Sequence, residues 1–282
     1  MPARVWRALF FLSLAGLVRG AAPVAPPELA QVGKPGAEEA ARILQQFRQA
    51  GLLGEFYLEF EFRAMPRRGE ERLYPGRLWG GRTPQGTAFR IEVRDGSGGT
   101  GRWLLRNGAK SAAWKVVDGQ VVPLSLASSL EPLFPGVEIT AFDLQMPFLY
   151  WEDATLDRLA RVFGRPSYAY VFRPPAGERA ALGAVAAARA YLDTQFNALM
   201  QTELLDDRGR VLKSFALISL KRVGEQHVPK QADYRNDTTR DKTRFQVTAV
   251  ALNLQLPAAV FAPAALATPL EPPEAALRVR ID

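Results

Sequence analysis

The sequence predicts an α+β protein that is mostly β, built on one continuous, curved antiparallel sheet with a helix over part of its concave face. Three observations lead there. Strand-like stretches of period two recur along most of the chain and are joined by short turns, which favours antiparallel pairing. Only one long segment, near the start, has the period of an amphipathic helix. Residues 37–265 contain no linker that would split them into two domains.

The N-terminus is expected to be an export signal. Arg4 and Arg7 precede an uncharged run, Ala8 to Val18. Crossing a bilayer takes about 20 apolar residues, so this run is too short and instead has the length and flanks of a signal h-region. Small residues follow at Gly20, Ala21 and Ala22. Cleavage after Gly20 defines a signal peptide over 1–20; cleavage after Ala22 would put Pro23 beside the cut. No Cys follows the run, so no N-terminal thiol takes a lipid. The expectation is a periplasmic protein, soluble after cleavage. It holds together by its core alone, which a chain of this length can supply.

Residues 21–36 carry Pro23, Pro26, Pro27 and Pro35 with Gly33 and Gly36, a flexible leader. Ala37 to Ala50 is the helix, with Ala40, Ile43, Leu44, Phe47 and Ala50 on one stripe and Glu38 and Glu39 in its first turn. The period then changes to two. Phe56, Leu58, Phe60 and Phe62 share one strand face; Tyr57, Glu59, Glu61 and Arg63 share the other. Leu73 to Arg82 is a partner strand, and Thr87, Phe89, Ile91 and Val93 mark a third. The glycine-rich turn 95–101 feeds Arg102 to Arg106. Asp118-Gly119 joins Ala112–Val117 to Gln120–Leu124 as a hairpin.

Short helical turns are expected near Leu126–Leu133 and Ala141–Tyr150. Glu152-Asp153 is read as a turn before the next strand, whose aromatic face is Tyr168, Tyr170 and Phe172. Strands then follow at Arg189–Thr194, Ala198–Leu205, Val211–Lys221, Gln226–Tyr234 and Thr243–Leu254. The tail from Pro269 is Pro-rich and is expected to be loose.

Chemistry is sparse. The chain has no Cys and one histidine, His227, so thiol catalysis and thiolate metal sites are excluded. No Gly-x-Ser-x-Gly elbow accompanies His227. The loop Gly96 to Gly101 lacks the Lys-Ser/Thr ending of a phosphate cradle and opens no helix. No cofactor, metal or catalytic residue is therefore expected. Removing Arg4, Arg7 and Arg19 takes the formal charge from +7 to +4, spread along the chain. Nucleic-acid binders concentrate their charge on one face, so none is expected as a partner.

The segment Phe142-Asp-Leu-Gln-Met-Pro-Phe-Leu-Tyr-Trp-Glu-Asp-Ala-Thr-Leu156 gathers large apolar side chains around Pro147. Such residues go inside by default. Yet a curved sheet with one helix need not fill its own concavity, and leftover apolar volume becomes a ligand pocket. Phe56, Leu58, Phe60 and Phe62 are then lining candidates. Met146, Phe148, Leu149 and Trp151 are lid candidates. The carboxylates Asp143, Glu152, Asp153 and Asp157 read as caps and turns.

This aromatic segment resembles the central motif of bacterial outer-membrane lipoprotein-sorting proteins of the LolA-like group. Further pieces match in order: Gly164-Arg-Pro166, Tyr170-Val-Phe-Arg-Pro-Pro175, Tyr191-Leu-Asp193, Ala198-Leu-Met-Gln-Thr-Glu203, Val228-Pro-Lys230 and Thr239-Arg-Asp-Lys-Thr-Arg-Phe245, then Leu256-Pro257 and Val260-Phe261. The resemblance covers about residues 40 to 265 and is to a branch apart from the well-studied carrier. It implies a strongly curved antiparallel sheet forming an incomplete β-barrel, with the N-terminal helix and short lid helices over the concave face. It also implies a cavity that takes acyl chains. The expected partner is an acylated lipoprotein or lipid; whether an envelope membrane receptor loads it is open, as is the oligomeric state. Two other readings stand beside this one. They are an envelope sensor or scaffold that binds a protein, and a hydrolase of an envelope lipid or glycan using Asp143, Glu152 or Asp153.

Overall fold

The computed structural model describes residues 33–108 and 110–281. The expected signal peptide and the leader up to residue 32 lie outside the described residues.

Helix α1 (Ala37–Gln49) matches the predicted amphipathic stripe: Ala40 and Leu44 are buried. Gly36 at its start offers no capping side chain, so Glu38 and Glu39 supply the negative charge that suits a helix N-terminus. Six strands follow: β1 (Glu55–Met65), β2 (Arg72–Thr83), β3 (Gly86–Arg94), β4 (Thr100–Arg106), β5 (Ala112–Val117) and β6 (Gln120–Pro123). Residues 124–152 then hold α2 (Leu126–Ser129), α3 (Ala141–Gln145) and a 3₁₀ turn, Pro147–Tyr150. The second half comprises β7 (Asp153–Val162), β8 (Arg165–Arg173), β9 (Ala187–Asp193), β10 (Leu199–Leu205), β11 (Val211–Val223), β12 (Gln226–Asn236) and β13 (Lys242–Leu254).

All strands join one antiparallel sheet. Its order is β6-β5-β4-β3-β2-β1-β13-β12-β11-β10-β9-β8-β7. Each half is a meander, and β1 pairs β13 from Glu55↔Leu254 to Met65↔Lys242 to fuse them. The sheet does not close, because β6 and β7 are its two free edges. Residues 124–152 run from one edge to the other. This is the expected incomplete barrel, with its helices over the concave face.

β7 was not expected as a strand. Its sequence, Asp-Ala-Thr-Leu-Asp-Arg-Leu-Ala-Arg-Val, spaces its apolar residues as a helix does and carries charge on both faces. Charges suit an edge strand, which they protect from pairing with other chains. Asp153, expected in a turn, is its first residue.

Two further expectations change on the outer face. Tyr57, assigned to a polar face, is fully buried with Trp79, Ala251 and Val260. The tail, expected to be loose, packs there. Leu266 is buried, β14 (Val279–Arg280) pairs β13, and Ile281 beyond it joins the concave-face cluster of Phe56, Leu58 and Val250. The anchor is Arg90, wholly inaccessible to solvent. It donates to the carbonyls of Ala265 (3.0 Å), Leu266 (3.4 Å) and Thr268, and to the Glu92 carboxylate at 2.9 Å. Those carbonyls lie at and just beyond the end of a short 3₁₀ run, Pro263–Ala265.

Candidate ligand-binding interior

The concave face meets the lid segment in two apolar clusters. In the first, Phe56, Leu58, Phe60 and Phe62 of β1 pack with Tyr74, Ile91, Trp103 and the lid residues Phe134, Val137 and Ile139. Phe134 stacks on Tyr74 at 5.7 Å and meets Trp103 edge-on at 5.4 Å. In the second, Phe148, Leu149 and Trp151 pack with Phe142, with Ala40 and Leu44 of α1, and with Tyr170 and Phe172 of β8. Met146 is half-buried and touches both clusters. All eight predicted residues thus face the interior, but they divide four and three between the two clusters, joined at Met146.

Glycines in β2 determine how the first cluster fills. Gly76 and Gly80 lie opposite Phe60 and Phe56 in the β1–β2 register. A Cβ at either would fall 2.4 Å from the Phe60 ring or 2.2 Å from the Phe56 ring. Glycine therefore lets both rings lie flat on the neighbouring strand. The space between sheet and lid is correspondingly small. A cavity of about 10 Å³ lies where Met146 and Phe148 face Thr202, Leu204, Phe215 and Tyr234. Ligand pockets usually hold about 300–1,000 Å³, so the interior in this conformation is closed.

Polar groups at the rim hold the lid down. Arg48, on the last turn of α1, donates to the carbonyls of Leu149 (2.7 Å) and Trp151 (2.9 Å). Asn107 donates to the Gln145 carbonyl at 2.5 Å, and Gln145 donates back to Arg106 and Ala112 carbonyls at 3.0 and 3.1 Å. The Glu138 amide donates to Thr243 Oγ1 at 2.8 Å, and Asn236 donates to the Glu138 carboxylate at 3.0 Å. Beneath α3, the Lys213 ammonium pairs with the buried Asp143 carboxylate. Burial chiefly, and then the Asp143 charge, push the neighbouring Tyr234 hydroxyl well above the usual tyrosine range.

Backbone geometry marks a joint in the lid. Met146 ends α3 in the left-handed region (φ 50°) directly before Pro147. A non-glycine residue rarely adopts that region, and a following proline adds its own restriction. Asp143, expected as a cap, closes a capping box instead. Thr140 Oγ1 accepts from the Asp143 amide at 3.0 Å while Asp143 accepts from the Thr140 amide at 2.8 Å. Its carboxylate faces Lys213. Asp153 lies 3.5 Å from Arg173, and Asp157 lies 2.5 Å from Arg158. Each of these three carboxylates is partnered by a cation rather than by a second carboxylate.

Sequence reasoning missed the ties Arg48, Asn107, Gln145 and Lys213. No local pattern announces them, because each partner is tens of residues away. A larger hollow of about 390 Å³ lies on the outer face, beside Pro269 and Leu270. Its floor is a cross-strand row, Glu59↔Arg77↔Glu92↔Arg102, whose charges oppose one another. That polar floor does not suit a hydrocarbon chain.

No protein-family model matches the sequence, and no curated protein matches it. Solved structures do. A domain from Vibrio parahaemolyticus named for outer-membrane lipoprotein sorting superposes with a TM-score of 0.70 at 14% identity, over 82% of this chain and 100% of that one. A DUF1329 family protein from Desulfovibrio piger gives 0.69 at 13%, over 83% and 100%. A LolA superfamily protein from Nitrosomonas europaea gives 0.61 at 14%, over 79% and 97%. At such identities the likeness is one of fold: this chain is similar in fold to a lipoprotein-sorting domain, a DUF1329 family protein and a LolA superfamily protein.

Proposed function

We propose that the protein is a periplasmic carrier or chaperone. It binds the acyl chains of a lipoprotein or lipid in its apolar interior, in the service of outer-membrane sorting. The observation that carries this reading is the lid. An unclosed sheet is covered by a segment whose inner face is apolar and whose rim is held by a few polar ties. Lifting residues 124–152 uncovers apolar surface on both sides at once. Phe56, Leu58, Phe60 and Phe62 line one wall, and Met146, Phe148, Leu149 and Trp151 line the other. The fold neighbours named for lipoprotein sorting support the same reading.

Magnitudes make the exchange reasonable. Uncovering Phe148, Leu149 and Trp151 costs roughly 1.5–3 kcal/mol for each side chain. A dozen methylenes moved from water into the opened interior return about 0.8 kcal/mol apiece. Apolar burial thus holds the lid closed when the interior is empty, and an acyl chain that enters replaces part of the burial lost on opening. No bond is made or broken, and release follows when the cargo finds a better apolar host. Native mass spectrometry of the exported protein tests the reading. Lipid mass should accompany the wild-type protein and be displaced by added fatty acid. A lipid-free protein that takes up no fatty acid, yet keeps a protein partner after delipidation, would replace this reading with a sensor or scaffold role.

A further inference from the structure

The two-residue turn between β7 and β8 is Phe163-Gly164, flanked by the pair Val162↔Arg165. Phe163 has φ 49° and Gly164 has φ 80°, the double positive φ of a type I′ hairpin turn. The β5–β6 hairpin of the same sheet makes this turn with Asp118-Gly119, at φ 51° and 76°. Asn, Asp and Gly are the residues that fill the first position readily. A phenylalanine there is unfavourable for the turn and leaves its ring 60% exposed. Local folding does not account for it, and strain held at an exposed residue points to function.

A second ring stands beside it. The β9–β10 turn carries Phe196, 67% exposed. β8 and β9 are neighbours, so the two tips leave the same end of the sheet roughly 10 Å apart, two strand spacings. The Arg165 guanidinium covers the Phe196 ring at 5.1 Å and pairs with Asp193 at 2.5 Å. Arg161 donates to the Gly164 carbonyl at 2.9 Å, placing its charge at the neck of the first tip. The β11–β12 turn at this end adds Lys221 and Arg222, with Glu225 as the opposing acid. Leu53, bonded through its amide to Gln226, is exposed there too.

We propose that this end of the barrel docks on an anionic lipid bilayer, with the Phe163 and Phe196 rings entering the headgroup layer and Arg165, Lys221 and Arg222 meeting its phosphates. Aromatic rings settle at the depth of the headgroups, and arginine stems cross that layer while their charge stays wet. The two tips are separate protrusions rather than one contiguous apolar patch. A fluid bilayer accepts them singly, and Arg165, Lys221 and Arg222 against Asp193 and Glu225 leave a positive excess that favours acidic lipids. This surface is distinct from the interior, so docking and acyl uptake can fail separately.

Vesicle flotation tests the proposal. Wild-type protein is mixed with vesicles of phosphatidylcholine, with or without phosphatidylglycerol, at low and high salt. It should float with the mixed vesicles, less so as salt rises. The variant Phe163→Asn/Phe196→Ser should lower the partition roughly tenfold or more. Phe163→Asn alone should keep or raise the thermal midpoint, because Asn-Gly suits the turn, so lost binding would not reflect lost folding. Fatty-acid uptake should be unchanged in both variants. Wild-type protein that stays unbound, variants that float equally well, or tips whose substitution breaks a self-association or protein complex instead would overturn it.

Discussion

Arg48 on α1 donates to the carbonyls of Leu149 and Trp151, 101 and 103 residues further along the chain. One guanidinium therefore fastens the N-terminal helix to the aromatic turn of the lid. Its fork geometry reaches both acceptors at once, which an ammonium group cannot do in the same way. Arg48→Met should loosen the lid and cost about 2 kcal/mol, from two carbonyls left without a charged donor. Arg48→Lys should recover only part of that. Hydrogen exchange at residues 147–151 should quicken in both, more in the methionine variant, while amides of β1 and β13 stay protected.

Lys213 and Asp143 form the pair beneath α3. Breaking a buried pair leaves an uncompensated charge, at a cost of about 3–5 kcal/mol. Lys213→Met should therefore destabilise strongly, and so should Asp143→Asn. The double variant should be milder than the sum of the two, since neither charge is then stranded. Urea unfolding of the four proteins as a cycle measures this, and strict additivity would show that the pair is not coupled.

Acid should act on the hairpin that carries Phe196. Burial raises the Asp193 carboxyl, but the Arg165 guanidinium and the Phe196 and Gln195 amides outweigh it and hold the group below the usual carboxylate range. Its ionised form therefore stabilises the fold above its unfolded value of about 3.9. That contribution is lost as pH falls through the lower, folded value. Thermal midpoints should fall below pH about 4 in the wild type. Asp193→Asn should be less stable at neutral pH and show a shallower acid slope.

The outer-face tail should be structural. Arg90 binds three tail carbonyls, so Arg90→Leu should release residues 265–281 and leave Glu92 with Arg102, 3.5 Å away, and its cross-strand neighbour Arg77. Limited proteolysis should then cut after Leu266, at sites the wild type protects. The loss of stability should approach that of removing a buried ion-pair partner, about 3–5 kcal/mol.

How much of this was legible depended on whether the signal was local. The α1 stripe and the β1 alternation are periodic over many residues, so both were readable. Asp118-Gly119 marked its turn because only a few residue types fit that backbone. β7 was hidden because an edge strand is selected for charge rather than alternation. The docked tail was hidden because its anchor, Arg90, sits in a different strand and looks like any outward arginine. The burial of Tyr57 was hidden for the same reason: the alternation of β1 says which face it takes, and correctly, but not that the tail covers that face. Within the site, the apolar residues were visible as composition, but Gly76 and Gly80 decide that the Phe60 and Phe56 rings lie flat. The lid ties join residues far apart in sequence, and a single chain read alone does not pair them.

The central claim is that lid and sheet part to admit a hydrocarbon chain. Asn107 and Gln145 already reach across the lid margin, and the chain has no cysteine to compete. Asn107→Cys/Gln145→Cys can therefore be oxidised to staple the lid, then reduced to free it. Uptake of a fluorescent fatty acid should be lost in the stapled form and return on reduction to at least the wild-type level, since the reduced variant lacks both ties. Equal uptake by the stapled and reduced proteins, or none by either or by the wild type, would contradict the claim.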